Sequence, residues 1–365
     1  MCILRGYFIF LSVVTCFWSQ ALYAADQNAI NATDEGNKLL SVTPPSVMDK
    51  ALIPPSGDKH DFMSMGKYLW PNPNTPNGLP YIYKDGQTNP NWSTYGDMDN
   101  IKTMATAVHK LVKAYRFTHQ EVYAKKAAEF LRVWFLNPAT RMNPNARCGE
   151  SDPGKQEGAP GGVMYTMDLD NLVDDIAALE QSPSWTQDEK QRLHAWFKQF
   201  LTWLLEDKIA LKESANQNNH GSWYDVEVVS IALYLGDNAL AKTVLEQSKQ
   251  KRIASMIEPD GSQPAELKRT RALGYTLFSV ASFIRLAAFG EKVGVDLWHY
   301  ETPDGRSIRK AIDFLLPYMD EKRPWPYQQI VPLSEDERRW WKGLLRQVAE
   351  AYHDPKYDEA IKNLP

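Results

Sequence analysis

The run Asn218-Asn219-His220-Gly221-Ser222-Trp223-Tyr224-Asp225 gathers two amides, an imidazole, two aromatic rings and a carboxylate around one glycine. Farther on, Glu266-Leu267-Lys268-Arg269-Thr270-Arg271-Ala272-Leu273-Gly274-Tyr275 sets three cations ahead of a tyrosine, with Lys268 and Arg271 at spacings that a helix would bring to the face of Tyr275. This set of groups suits removal of a proton next to a carboxylate. Amides and cations stabilise the enolate-like charge that develops, while a phenol or an imidazole moves the proton. Asn219, His220 and Tyr275 are the candidate catalytic residues, with Lys268, Arg269 and Arg271 as candidate carboxylate binders. A free tyrosine titrates at about 10, so Tyr275 acting as a base needs positive charge nearby to lower its pKa, and the three cations are a source. The plainer alternatives are a core role for Tyr275 and a helix cap for His220, ahead of a helix starting near Ser222.

Other chemistries fit the sequence less well. Seven histidines are spread thinly, and no HExxH, CxxC or dense carboxylate cluster points to a metal, so neither metal nor cofactor is expected. No GxSxG elbow, phosphate loop or dinucleotide fingerprint is present. A hydrolase would need two opposed carboxylates, for which Asp225, Glu227, Glu258, Asp260 and Glu266 are the available residues. A non-catalytic binding protein for acidic glycans is the second rival, but it has little use for a phenol beside an imidazole.

The elements that must position these groups read as helices. Apolar residues recur at helical spacing in Ile101, Met104, Val108, Leu111, Val112 and Tyr115, then in Tyr123, Ala127, Phe130, Leu131 and Trp134. The same period predicts helices over Leu169–Glu180, Gln187–Leu205, Trp223–Leu235, Ala239–Ile253, Arg271–Phe289, Ile308–Met319, Glu335–Tyr352 and Tyr357–Leu364. No alternating strand pattern stands out. The expected fold is therefore all-α, built from stacked antiparallel helical hairpins in one domain over 61–365. Two longer interruptions, Asn137 to Gly162 and Glu258 to Glu266, are placed where loops carry ligand sites. Phe62 to Trp92 is irregular yet aromatic, and is expected to lie across a cleft. Tyr68, Trp70, Tyr81 and Trp92 in it are candidates for stacking on sugar rings, with Trp223 and Tyr224 as groove wall or core.

Residues 1–24 read as a secretory signal. One arginine, Arg5, precedes an almost wholly apolar run that is short for a membrane span, and Ala21 to Ala25 offers small residues for cleavage. The mature protein is thus expected in the periplasm or outside the cell, with no membrane partner. Residues 25–60 are polar and proline-containing, and are expected to form an extended arm. Of three cysteines only Cys148 lies outside the signal, so a large core must replace disulfides. Twelve Trp, 17 Tyr and 13 Phe supply that core and leave some rings for a carbohydrate groove. A net charge of −4 argues against nucleic acid as the partner. Lys67, Arg141 and Arg147, together with the three cations near Tyr275, could still line a local basic groove for an acidic ligand. Nothing in the sequence sets an oligomeric state.

Met63-Ser64-Met65-Gly66-Lys67-Tyr68-Leu69-Trp70-Pro71-Asn72-Pro73, Gly78-Leu79-Pro80-Tyr81-Ile82, the run from Asn218 to Asp225, and Pro259-Asp260-Gly261 with Glu266 to Tyr275 resemble the alginate-lyase-like polysaccharide lyases. The likeness extends from Phe62 to about Tyr318. It implies an incomplete α/α toroid with the substrate groove at one end, and cleavage of 4-linked uronic-acid polysaccharide, alginate or glucuronan, by β-elimination. The family's Asn-His pair falls on Asn219 and His220 and its tyrosine on Tyr275, while Lys268, Arg269 and Arg271 compete for its upstream arginine. In mannuronate and glucuronate the C5 proton and the C4 oxygen share one side of the ring, so Tyr275 alone would serve both. In guluronate they lie on opposite sides, which would call on His220 as base and Tyr275 as acid.

Overall fold

The helical period predicted from the sequence is realised in a succession of helices from Met98 to Asn363. The computed structural model describes residues 29–154, 158–319 and 323–364. The proposed signal, 1–24, lies outside them. Residues 29–39 form α1, followed by α2 (Met98–Thr118) and α3 (Glu121–Leu131), which runs on into a π turn at Arg132–Leu136. Next come α4 (Asp168–Leu179), α5 (Gln187–Glu206), α6 (Lys208–Ser214) and α7 (Asn219–Tyr234). The pair α8 (Asn238–Ser248) and α9 (Ala254–Met256) flanks a second π turn at Lys249–Ile253. The chain ends with α10 (Pro264–Leu267), α11 (Ala272–Val293), α12 (Ile308–Met319), α13 (Glu335–Tyr352) and α14 (Pro355–Asn363).

Helix α2 packs on α4, α4 on α7, α7 on α11 and α11 on α13, and this arc is backed by α3, α5 and α8. It is the incomplete α/α toroid that the sequence implies. Helices α7 and α11 sit at its centre. They are buried around most of their circumference, as a helix that is apolar on all sides must be. Trp223 stacks on Phe278 with 4.9 Å between ring centroids, and Ser282 donates to Ser222 at 2.6 Å, so the two helices run side by side from the same end. Most of the aromatic wealth is core. Phe135, Trp196, Phe197 and Phe200 pack ring against ring, with Trp196 on Phe200 at 5.3 Å.

Two expectations need correction. The described part of the segment 25–60 is not an extended arm. Residues 29–39 form α1, in which small residues allow close packing: a Cβ on Gly36 would come within 2.8 Å of the Ala114 side chain. Tyr123 also donates to Asn37 at 2.9 Å. The prolines that suggested extension lie beyond this helix, where Lys50, fully buried, pairs with Asp97 at 2.9 Å. Short strands are also present. β1 (Met63–Met65) pairs in parallel with β4 (Cys148–Ser151), and β2 (Leu69–Trp70) pairs antiparallel with β3 (Ile82–Tyr83). Two- to four-residue strands are too short to show alternation, but the β1–β4 pair ties the irregular Phe62–Trp92 segment to the loop after α3.

Candidate active site

The turn between α6 and α7 is held from below by Arg252. This guanidinium, fully buried, binds Asp225 through Nε and Nη2 at 2.8 and 3.1 Å, and the carbonyls of Asn216 and Ser214 at 2.7 and 2.8 Å. A Cβ on Gly221 would stand 2.1 Å from the Asn216 oxygen and 2.4 Å from Arg252 Nη1, so this packing requires glycine there. Asn218 caps α7 by accepting from the His220 N–H at 3.1 Å. The helix therefore begins at Asn219, before the expected start at Trp223, and the capping role belongs to Asn218 and not to His220.

Asn219 is fixed twice to buried Glu266, its backbone N–H donating at 2.6 Å and its Nδ2 at 2.8 Å. His220 Nδ1 lies 2.5 Å from Oε1 of Glu213, which is only 1% exposed and comes from α6. A carboxylate acceptor assigns the proton to Nδ1 and leaves Nε2 for a ligand. Burial works against a charged imidazole, but the hydrogen bond and charge of Glu213, with the charge of Glu150, outweigh it and raise the His220 pKa. His220 is thus held towards the imidazolium form.

The second stretch is not one helix. Helix α10 stops at Leu267 and α11 starts at Ala272, so the three cations part company. Lys268 is exposed. Arg271, at the N-cap of α11, pairs with Glu337 of α13 at 3.1 Å. Arg269 lies on the Tyr275 ring, its guanidinium carbon 3.9 Å from the centroid, and forks onto Asp85 Oδ1 through Nε at 3.0 Å and Nη2 at 2.6 Å. Asp85 also accepts from the Thr270 N–H at 2.9 Å, and these bonds draw the chain out of helical geometry. They hold the Asp85 carboxyl at about 2 against the cost of its burial.

Tyr275 donates to the Tyr68 hydroxyl at 2.6 Å, and Tyr68 meets Tyr83 edge to face at 6.0 Å. The expectation that cations lower the Tyr275 pKa is not met in the empty site. Burial and Tyr68 push it well above the ordinary phenol range, and the opposing pull of Arg269 does not prevail. The charge of Arg269 reaches His220 as well as Tyr275, so it joins the two halves of the site.

Asn219, His220, Arg269, Tyr275 and Tyr68 thus come together. Trp70 is half-buried in the β2–β3 ribbon beneath Lys84, bonded through Nε1 to the Gln87 carbonyl, and Tyr81 is half-buried just before β3. Trp223 and Tyr224, expected as groove wall or core and counted among the substrate-binding candidates, are core. They are 6% and 4% exposed, and their polar atoms go to the carbonyls of Phe278 and Leu204, because their side of α7 faces neighbouring helices. Arg141 is exposed and tied through its carbonyl to His60, apart from the Tyr275 group. The carboxylates a hydrolase would need are committed elsewhere: Asp225 to Arg252, Glu266 to Asn219 and Glu258 to Arg306, with Glu227 in the core and Asp260 in a turn with Ser262. Glu213 and Asp85 are site residues that sequence reasoning missed.

The alginate lyase family model matches residues 46–325. The chain belongs to the alginate lyase family. It is a polysaccharide lyase of α/α-toroid fold, and a solved alginate lyase from Bacteroides ovatus is 38% identical to it. That match covers 92% of this chain and 89% of the other, with a TM-score of 0.88. Alginate lyase A1-III from Sphingomonas species A1 shares the fold at 15% identity, with a TM-score of 0.54 over 88% of this chain and 87% of that one. A histidine-to-alanine variant of A1-III, complexed with a tetrasaccharide, matches at 16% identity and a TM-score of 0.52, covering 86% of each chain. No curated protein matches the lyase in sequence.

Proposed function

We propose that this lyase is exported and cleaves the 4-linked mannuronate of alginate by β-elimination. The observation that carries the reading is the pairing of His220 with buried Glu213 across the group from the Tyr275–Tyr68 hydrogen bond. An imidazole held as a cation is a poor base and a good partner for a carboxylate. Asn219 and His220 therefore take the uronate carboxylate and the doubly charged form that develops from it, which makes the C5 proton acidic. Proton transfer is left to Tyr275, and a single group suffices only where the C5 proton and the C4 oxygen lie on one side of the ring.

In the chemical step Tyr275 reacts as its phenolate, the less populated form, with the guanidinium of Arg269 over its ring. The C5–H bond breaks towards the phenolate oxygen, its electron pair forms the C4–C5 double bond, and the C4–O bond breaks. The leaving O4 takes the proton from Tyr275, so the phenolate is regenerated. The family of solved relatives named as alginate lyases supports alginate over other uronans.

The test is absorbance of the unsaturated uronate when the purified protein meets polymannuronate, polyguluronate and glucuronan. A signal on polymannuronate that disappears in Tyr275→Phe and His220→Ala is expected. A signal on polyguluronate alone would overturn the assignment of both proton transfers to Tyr275, and new reducing ends without absorbance would mean hydrolysis.

A further inference from the structure

The glycine-rich run that ends at Gly162 has no part in the chemistry above, yet it is built around one side chain. The Gly158 N–H donates to the Arg147 carbonyl at 3.1 Å and the Ala159 N–H to the Gly149 carbonyl at 3.0 Å, folding the run over Gly149 and Glu150. A Cβ on Gly161 would stand 2.1 Å from Glu150 Oε2, and one on Gly66, on another side, 3.2 Å from Glu150 Cγ. Glu150 itself has a φ of 51°, a left-handed conformation that side chains other than glycine seldom adopt, and its N–H is held by Ser64 Oγ at 2.9 Å. Backbone strain of this kind persists where the surroundings over-determine it, and it gathers at functional sites.

The strained turn and its cradle bring the Glu150 carboxyl into range of His220 and Glu213. Burial raises its pKa to about 7, with His220 and the Gly161 N–H pulling down and Glu213 pushing up. The Tyr165 hydroxyl, which accepts from the Lys67 N–H at 2.9 Å, is in electrostatic range of the same carboxyl, and Arg269, from the other stretch, is in range of His220. His220 is therefore in electrostatic range of two carboxyls from separate parts of the chain, one bonded to Nδ1 and one held by glycines.

We propose that Glu150 is a positioning residue of the active site: held by the glycine cradle, its charge works with Glu213 to keep His220 as the imidazolium that receives a uronate carboxylate. The last clause rests on the proposed function, whereas the effect on His220 does not.

The test is a titration of His220 in the full chain, carrying histidine labelled with 13C at Cε1, with the signal assigned by its loss in His220→Asn. In Glu150→Gln the midpoint should fall by about half a pH unit or more, since removal of a nearby opposite charge disfavours the cation. Glu150→Asp, which keeps the charge, should recover part of that fall. Gly161→Ala, with Glu150 intact, should reproduce it, because the new methyl displaces the carboxyl. An unchanged or higher midpoint in folded Glu150→Gln overturns the proposal. If that variant does not fold, an unchanged midpoint in Gly161→Ala does so. The titration needs no substrate, so inactivity on every uronan would remove the lyase mechanism and leave this result standing.

Discussion

Arg269 makes two kinds of contact that an ammonium cannot make together. Its flat face covers the Tyr275 ring at 3.9 Å while its edge forks onto Asp85. Arg269→Lys should therefore lower kcat on polymannuronate by about 10²-fold or more, the scale seen when one preorganised electrostatic group is lost. Lys268→Ala, at an exposed position outside this contact, should leave kcat unchanged; comparable losses in both variants would mean that bulk positive charge matters and stacking does not. At this scale the sequence was partly legible. Asn219, His220 and Tyr275 stand in recognisable company, whereas choosing among three cations depended on Asp85, distant in the chain. Glu213 carried no signal, because a lone carboxylate seven residues before a histidine marks nothing until the turn at 215–218 folds it back.

Among the elements, α7 depends on a charge pair that a sequence does not advertise. Arg252 is fully buried, and it compensates Asp225 while closing the carbonyls of Ser214 and Asn216. Arg252→Met would leave the buried Asp225 carboxylate with only the more distant Lys251 ammonium at 3.7 Å, at a cost of about 3 kcal/mol, measurable as a lower urea midpoint. Activity should fall even at temperatures where the variant is folded, since Glu213 sits at the end of the turn that Arg252 holds; full activity in the folded variant would show that the turn keeps its shape without it. The helices themselves were legible from apolar spacing, as with Ile101, Met104 and Val108 on α2. The break between α10 and α11 was not. It comes from tertiary bonds: Asp85 takes the Thr270 N–H, and Gln328 and Ile330 bridge to Ala272 and Thr270. Helical propensity over 266–275 is overridden by partners that a local reading does not see.

Across the whole molecule, the arc buries carboxyls that read in the sequence as ordinary polar positions of α4 and α7. Glu227 is fully enclosed, with Oε1 lacking a partner among the described residues, and burial raises its pKa to about 8. Asp170 nearby rises to about 6 through burial, in spite of the Arg285 guanidinium at 3.3 Å. A carboxyl whose pKa is higher in the folded than in the unfolded chain binds its proton more tightly when folded. Its contribution to stability is therefore full below the unfolded value of about 4 and is lost as pH rises to the folded value. Asp85 and Glu189, both held at about 2, behave in the opposite sense and cost stability only as pH falls below about 4. Folding stability should thus decline from about pH 5 to pH 8 instead of peaking at neutrality. Glu227→Gln keeps the shape of the side chain but cannot ionise, so it should raise Tm at pH 8 by about 2 °C or more while leaving Tm at pH 4.5 nearly unchanged. Melting curves across that range check the sign. If the two proteins differ by the same amount at every pH, then Glu227 is not the group that titrates, and the decline comes from the other carboxyls raised by burial, Glu150, Asp97 and Asp170 among them, or from the histidines raised by their carboxylate partners.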